Sequence, residues 1–174
     1  MSFFYISAAV ALISSILAIS RSNAVHALLY AIVSLLSIAL VFFFLGAPFA
    51  AALEVVIYAG AIMVVFVFVI MMISAGPEAK QQERNWMNFR IWVGPSVLST
   101  LLIVELLAVI SYPQAQTAAN PVVESKQVGI ALMGPYILGV ELSSFLLTAG
   151  LVGAYHLGKR KRDASQIEKV RIGD

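Results

Sequence analysis

The sequence predicts an all-α membrane protein with five transmembrane helices. Of its 174 residues, 61% are hydrophobic and 11% are charged, whereas soluble domains carry about one quarter charged residues. The apolar runs are continuous and lack the alternation of membrane β-strands. Each run approaches the roughly 20 residues that a helix needs to cross the hydrocarbon core. A soluble globular fold is therefore excluded.

Five apolar segments meet this length, and turn-forming or polar residues separate them. The second segment stops at Gly46 and Pro48, and the third stops at Gly76 and Pro77, which are residues that end helices. The predicted spans are about 3–20, 25–45, 49–74, 91–112 and 135–157, with polar loops at 78–90 and 113–127. They form one five-span membrane domain, 1–158, followed by a charged tail, 159–174.

The first span resembles a secretory signal in its length and in the Ser22-Asn23-Ala24 sequence that follows it. A signal peptide normally carries Lys or Arg before its apolar run, and none is present here. A retained first span is therefore the favoured interpretation.

The positive charges predict the orientation of the spans. With five spans, ten Lys and Arg residues fall on the side of the tail, and Lys126 alone falls on the opposite side. Because positive loops stay in the cytoplasm, the C-terminus is predicted to be cytoplasmic and the N-terminus outside.

Three carboxylic acids lie inside the spans: Glu54, Glu105 and Glu141. Ionisable groups in a bilayer usually face a bundle interior, a water path or a partner. Each lies roughly 9–11 Å inside the non-cytoplasmic end at 1.5 Å per residue, so the three acids are candidates to line a proton path. The alternative is that they are neutral or solvated by headgroups. Glu105 is the weaker candidate, because its own helix offers no polar face, whereas Glu141 precedes Ser144 and Thr148.

The third span contains a predicted hinge or π-bulge. Tyr58 follows Glu54 by one turn, so that the two are expected to share a face and a hydrogen bond or water. The small residues Ala59, Gly60 and Ala61 come next. The glycine among them weakens local helical preference, and bulges cluster at functional positions. The alternative is that these small residues serve only close helix packing.

No complete catalytic, cofactor or metal site is visible in the sequence. The chain contains no cysteine, which excludes iron–sulfur ligation on this chain. His26 and His156 are two histidines without a carboxylate at ligand spacing, and no nucleotide-binding or hydrolase motif occurs. Any redox centre is therefore expected on partner proteins, and nucleic acid is not expected to bind.

The segments 23–30, 45–49, 54–72 and 128–152 resemble the J-subunit family of bacterial NADH:quinone oxidoreductase, also called respiratory complex I. The most specific part is Tyr58-Ala59-Gly60-Ala61-Ile62. The similarity covers about 23–73 and 128–158, nearly half of the chain. It does not extend to the loop 78–127 or to the tail.

The resemblance implies a core membrane subunit of the proton-pumping arm, with five spans and with other membrane-arm subunits as partners. It also implies a multi-pass protein of the bacterial cytoplasmic (inner) membrane. It implies a π-bulge around Tyr58, Ala59 and Gly60 whose rotation opens or closes a water path, with Glu54 and Glu141 as the matching span acids. NADH, FMN, iron–sulfur clusters and quinone would then belong to partner subunits. Two other functions stay open: a structural scaffold without a proton role, and a small stand-alone membrane transporter.

Overall fold

A computed structural model describes residues 2–73, 89–111 and 122–159 of the chain. Every regular element in these ranges is helical, and five helices are long and apolar enough to cross a membrane. The predicted fold class is therefore confirmed. These five helices are Phe3–Ser20, Ala24–Phe44, Pro48–Met72, Trp92–Ser111 and Ile137–Gly158. Their ends differ from the predicted ends by no more than a few residues.

The helices form two compact units, divided after Ser125. In chain order the helices are α1 Ser2–Ser20, α2 Ala24–Phe44, α3 Pro48–Leu53, a π-helix Glu54–Ile62, α4 Met63–Ile73, α5 Phe89–Ser111, α6 Ser125–Met133 and α7 Ile137–Gly158. The first unit contains α1 to α5, and the second contains nearly all of α6 and all of α7. Most of the predicted loop 78–90, part of the loop 113–127 and the tail beyond Lys159 lie outside the described residues, as do most of the basic residues that predicted the orientation.

Asn23 starts α2 immediately after the end of α1. Its side-chain Oδ1 accepts hydrogen bonds from the backbone N–H groups of Val25 (2.9 Å) and His26 (3.5 Å). These donors have no partner within the helix, so an Asn cap stabilises the start of α2. Because the connection is so short, α1 and α2 lie side by side in opposite directions.

Gly46 ends α2 in the left-handed conformation, with φ of 81°. The N–H of Gly46 bonds to the carbonyl of Phe43 (3.1 Å), and the N–H of Ala47 bonds to that of Phe42 (3.0 Å). This pair of bonds is the Schellman motif, which satisfies the last carbonyls of a helix. The Gly46 carbonyl also accepts a bond from the N–H of Val123 (2.8 Å). Pro48 then starts α3 at a position where its missing N–H costs nothing.

The core of the first unit lies between α1, α2 and α5. Val10, Val33 and Leu102, one residue from each helix, form its buried cluster. Leu36, Leu40 and Leu98 pack against this cluster while partly exposed. The third span, made of α3, the π-helix and α4, packs against α2.

The second unit contains a short helix that the sequence analysis did not predict. The helix α6 spans Ser125–Met133, partly within the segment predicted as a loop. A turn at residues 134–136 separates it from α7, whose residues are all exposed within the structure.

Candidate functional site in the membrane helices

The third span changes from α-helix to π-helix at Glu54 and returns to α-helix at Met63. The N–H of Glu54 still bonds to the carbonyls of Ala50 and Ala51. The N–H of Met63 bonds to the carbonyls of Tyr58 and Gly60. The bond to Tyr58 spans five residues, which is the π-helical pattern. The π-helix therefore covers the Tyr58–Gly60 segment, where the sequence predicted a hinge or bulge.

Gly60 fits the backbone of this π-helix closely. A Cβ added at this position would lie 3.1 Å from the carbonyl oxygen of Val55, a shorter distance than ordinary van der Waals contact. A larger side chain would have to displace that carbonyl, so residue 60 limits how the π-helix can be built. Its neighbour Ala61 already carries a Cβ and is exposed.

Glu54 and Tyr58 differ in their exposure to the surroundings. Glu54 is 8% exposed and Tyr58 is 50% exposed. No hydrogen bond joins them in the described part of the chain. The third span packs against α2, and in this packing Glu54 is buried while Tyr58 is exposed. Ala59 lies between these two environments and is half-buried.

Glu105 has a polar partner that the sequence analysis missed. Its Oε1 accepts a hydrogen bond from the Ser7 hydroxyl at 2.7 Å, and both residues are buried. Its second oxygen, Oε2, is buried and has no partner among the described residues. The partner comes from α1, 98 positions earlier in the chain. Glu105 was judged the weaker candidate from its own helix alone, and that criterion could not reveal a partner on another helix.

Glu141 lies on α7, in the second unit, where its side chain is exposed. The nearby hydroxyls bond to their own helix: Thr148 donates to the Ser144 carbonyl (3.0 Å) and Ser143 donates to the Gly139 carbonyl (2.7 Å). Such bonds are common for Ser and Thr in helices. The structure thus brings Glu54 and Glu105 into one unit and leaves Glu141 in the other.

Serines between α1 and α2 form a second set of missed residues. Ser15 and Ser34 share a hydrogen bond of 2.7 Å, and Ser34 also donates to the Ala11 carbonyl at 3.1 Å. Ser14 and Ser37 are fully buried. Such small polar residues let membrane helices approach and bond to each other. Helical spacing along α1 and α2 was the signal that could have identified them.

The opposite end of the same bundle also holds buried polar groups. Tyr30 and His26 are buried on α2, and neither ring nitrogen of His26 has a partner in the described ranges. The Arg21 guanidinium lies 5.5 Å from the centre of the Tyr30 ring, a cation–π distance. No group of three or more metal-ligating side chains occurs within the residues that the structure describes.

The sequence matches the protein family described as NADH-ubiquinone/plastoquinone oxidoreductase chain 6 over residues 14–157. The chain belongs to this family. It is 55% identical over 164 residues to NADH-quinone oxidoreductase subunit J of Pseudomonas aeruginosa, covering 94% of this chain and 98% of the relative. It is 48% identical over 159 residues to the Escherichia coli protein of the same name, covering 91% and 86%. The subunit J of Buchnera aphidicola from Schizaphis graminum is 49% identical over 159 residues, covering 91% and 98%.

Membership of the chain 6 family confirms the resemblance seen in the sequence. It also confirms that this chain is one subunit of an oxidoreductase and not a complete enzyme, and that other subunits of the complex are its partners. The relatives are bacterial, and with its five apolar helices the chain is a multi-pass protein of the bacterial inner membrane.

Proposed function

We propose that this chain is a core membrane-arm subunit of a proton-translocating NADH:quinone oxidoreductase, and that its π-helix helps to couple quinone reduction to proton translocation. The observation that carries the proposal is the π-helix itself, which begins at a buried carboxyl, Glu54, and contains a glycine fitted against the backbone. The names of the relatives and the absence of cysteine support placing NADH, FMN, iron–sulfur clusters and quinone on partner subunits.

A π-helix holds one more residue in a turn than an α-helix. If the segment converts to α-helix, the part beyond it turns by about 100° and shifts by about 1.5 Å. In the proposed mechanism this rotation changes the surroundings of Glu54, Tyr58 and Ala59 and so opens or closes a water path. Glu141 contributes a carboxyl to the same path from the last span. The N-terminus lies outside and the C-terminus lies in the cytoplasm.

The test is a pair of bulky substitutions at neighbouring positions, Gly60→Leu and Ala61→Leu. Leucine at position 60 meets the Val55 carbonyl in the π-helical form, and overpacking of this kind costs about 1–3 kcal/mol. That cost shifts a balance between two helix forms by about five-fold or more. The Ala61→Leu variant adds similar bulk at an exposed position of the same π-helix.

Both variants are measured in the assembled complex, by inhibitor-sensitive NADH:quinone turnover and by proton uptake into inverted vesicles. We expect Gly60→Leu to assemble and to lose turnover or pumping, while Ala61→Leu keeps both. Full pumping by an intact Gly60→Leu complex would exclude the gating role.

A scaffold role is the second candidate function. It is favoured by the exposed apolar faces of α4 and α7, which helices packed against partner subunits would have. In that case Glu54→Gln and Glu141→Gln leave pumping unchanged. The proton-path role instead predicts that both substitutions, which keep the shape and remove the ionisable proton, reduce pumping in complexes that assemble normally.

A further inference from the structure

The buried residues of α1, α2 and α5 fall into layers across the three-helix bundle. Ser7, Val10 and Ser14 share one face of α1, because they are three and seven residues apart. Glu105, Leu102 and Leu98 repeat the same spacing on α5, in the opposite direction. The Ser7–Glu105 hydrogen bond places these two residues in one layer, and the Val10–Val33–Leu102 cluster forms the next layer.

The layer that contains Glu105 is polar. Ser7 and Ser37 are fully buried, and Glu105 is 3% exposed. The hydrogen bond from Ser34 to the Ala11 carbonyl sets the antiparallel register of α1 and α2, and this register places Ser37 level with Ser7. The Ser37 hydroxyl donates to the carbonyl of Val33 (2.8 Å). The Ser37 hydroxyl therefore does not bond to Oε2 of Glu105, which has no partner among the described residues.

The next layer is apolar and separates this site from the buried polar groups beyond it. Val10, Val33 and Leu102 are all nearly fully buried. Ser14 and Tyr30 follow on the far side, and the Ser14 hydroxyl is buried without a partner in the part of the chain described. Three apolar side chains packed together form a barrier to ions and to protons carried by water.

No positive charge on these helices is placed to balance a carboxylate at position 105. The helices α1 and α2 contain no Lys or Arg. The other titratable groups on these three helices are Tyr5, which is exposed, His26 and Tyr30, which lie beyond the apolar layer, and Arg90. Arg90 lies 15 positions earlier on α5, about 22 Å along the helix axis. A buried charge without a partner is costly, so the neutral acid fits this site.

We propose that Glu105 is a proton-exchange site, held by Ser7 and reached by water from the end of the bundle at which Ser7 lies. In the neutral acid, Oε1 accepts the Ser7 hydrogen bond and Oε2 carries the proton. In the exchange, the Oε2–H bond breaks as its proton forms an O–H bond on water, and a proton released from an O–H bond of water bonds to the electron pair left on Oε2, so that the acid is neutral before and after. Ser7 is five residues from the start of α1, which is about 7.5 Å. The proposal rests on the proposed function only in assuming a proton-translocating complex, and it requires no motion of the π-helix.

Infrared spectroscopy of the purified complex tests this site without turnover. The variants are Glu105→Gln, Ser7→Ala and Ser14→Ala, each measured in H2O and in D2O. We expect a carbonyl band of a protonated carboxyl that is lost in Glu105→Gln and that shifts in D2O. Ser7→Ala should move this band, because the hydrogen bond to Oε1 is lost. Ser14→Ala removes an equally buried hydroxyl beyond the apolar layer and should leave the band in place.

A band that is unchanged in Glu105→Gln, or that does not shift in D2O, overturns the proposal. So does a Ser7→Ala complex whose band matches that of wild type.

The side of entry is tested by Ser7→Cys and Ser14→Cys with a permanently charged methanethiosulfonate reagent. With the reagent applied from the side of the N-terminus, we expect labelling at position 7 to be at least about ten-fold faster than labelling at position 14, because the apolar layer excludes charge. Equal labelling at position 14 would refute the barrier. Unchanged pumping in Gly60→Leu would remove the gating role and leave these outcomes unaffected.

Discussion

At the scale of single residues, Gly94 on α5 lies directly against the Tyr30 side chain of α2. A Cβ added at Gly94 would overlap the Tyr30 hydroxyl. The Tyr30 side chain is buried, so the ring has little room to move away. The absence of a side chain at position 94 therefore sets how closely these two helices pack.

We expect Gly94→Ala to destabilise the bundle and Tyr30→Phe to restore it. The added methyl group overpacks the contact, at a cost of about 1–3 kcal/mol, and removal of the hydroxyl opens the space again. The measurement is the thermal stability of the purified complex for both single variants and the double variant. A double variant no more stable than Gly94→Ala would show that the hydroxyl is not the group in contact.

Single residues also show which parts of the candidate site the sequence predicted and which it did not. Glu54, Glu105 and Glu141 were found because acids are rare within apolar spans. The Ser7–Glu105 pair could not be found in this way, because it joins positions 98 apart and depends on how helices pack. The difference in exposure between Glu54 and Tyr58 was missed because it depends on how the third span packs against other helices.

At the scale of elements, residues next to the helices set the boundaries of α2. Asn23 caps its start and Gly46 ends it, and both signals are readable from sequence. The spans were therefore predicted closely, since apolar length and turn residues are local properties. The helix α6 was missed because its first residues lie in the predicted loop 113–127 and the rest lie before the predicted span 135–157, in a segment assigned to no element.

We expect Gly46→Ala to destabilise the α2–α3 connection, and Gly46→Asn to do so less. The positive φ at this position costs a residue with a Cβ about 1–2 kcal/mol, and Asn tolerates the left-handed conformation better than Ala. The measurement is the melting temperature of the purified complex. Equal melting temperatures for Ala and Asn would show that the turn relaxes to another conformation.

At the scale of the whole molecule, the helices outside the α1–α2–α5 bundle bury few of their apolar side chains within this chain. Within the span Pro48–Met72 most side chains are exposed, and all of α7 is exposed. Helices of this kind are stable only where lipid or other membrane helices cover them. The chain belongs to a family of subunits of a complex, so other subunits are its partners. Sequence composition predicted a membrane protein, but it could not show which faces meet lipid and which meet other subunits.

The topology of the whole chain gives the last prediction. The absence of cysteine makes Ser125→Cys and Ser165→Cys unique labelling sites on this chain. Ser125 is exposed at the start of α6, ahead of the last span, and Ser165 lies in the basic tail after it. Because the basic residues should stay in the cytoplasm, an impermeant thiol reagent applied outside intact cells should label position 125 only. In inverted vesicles it should label position 165 only. The reverse pattern would place the N-terminus in the cytoplasm, and it would move the entrance proposed for the Glu105 site to the cytoplasmic face.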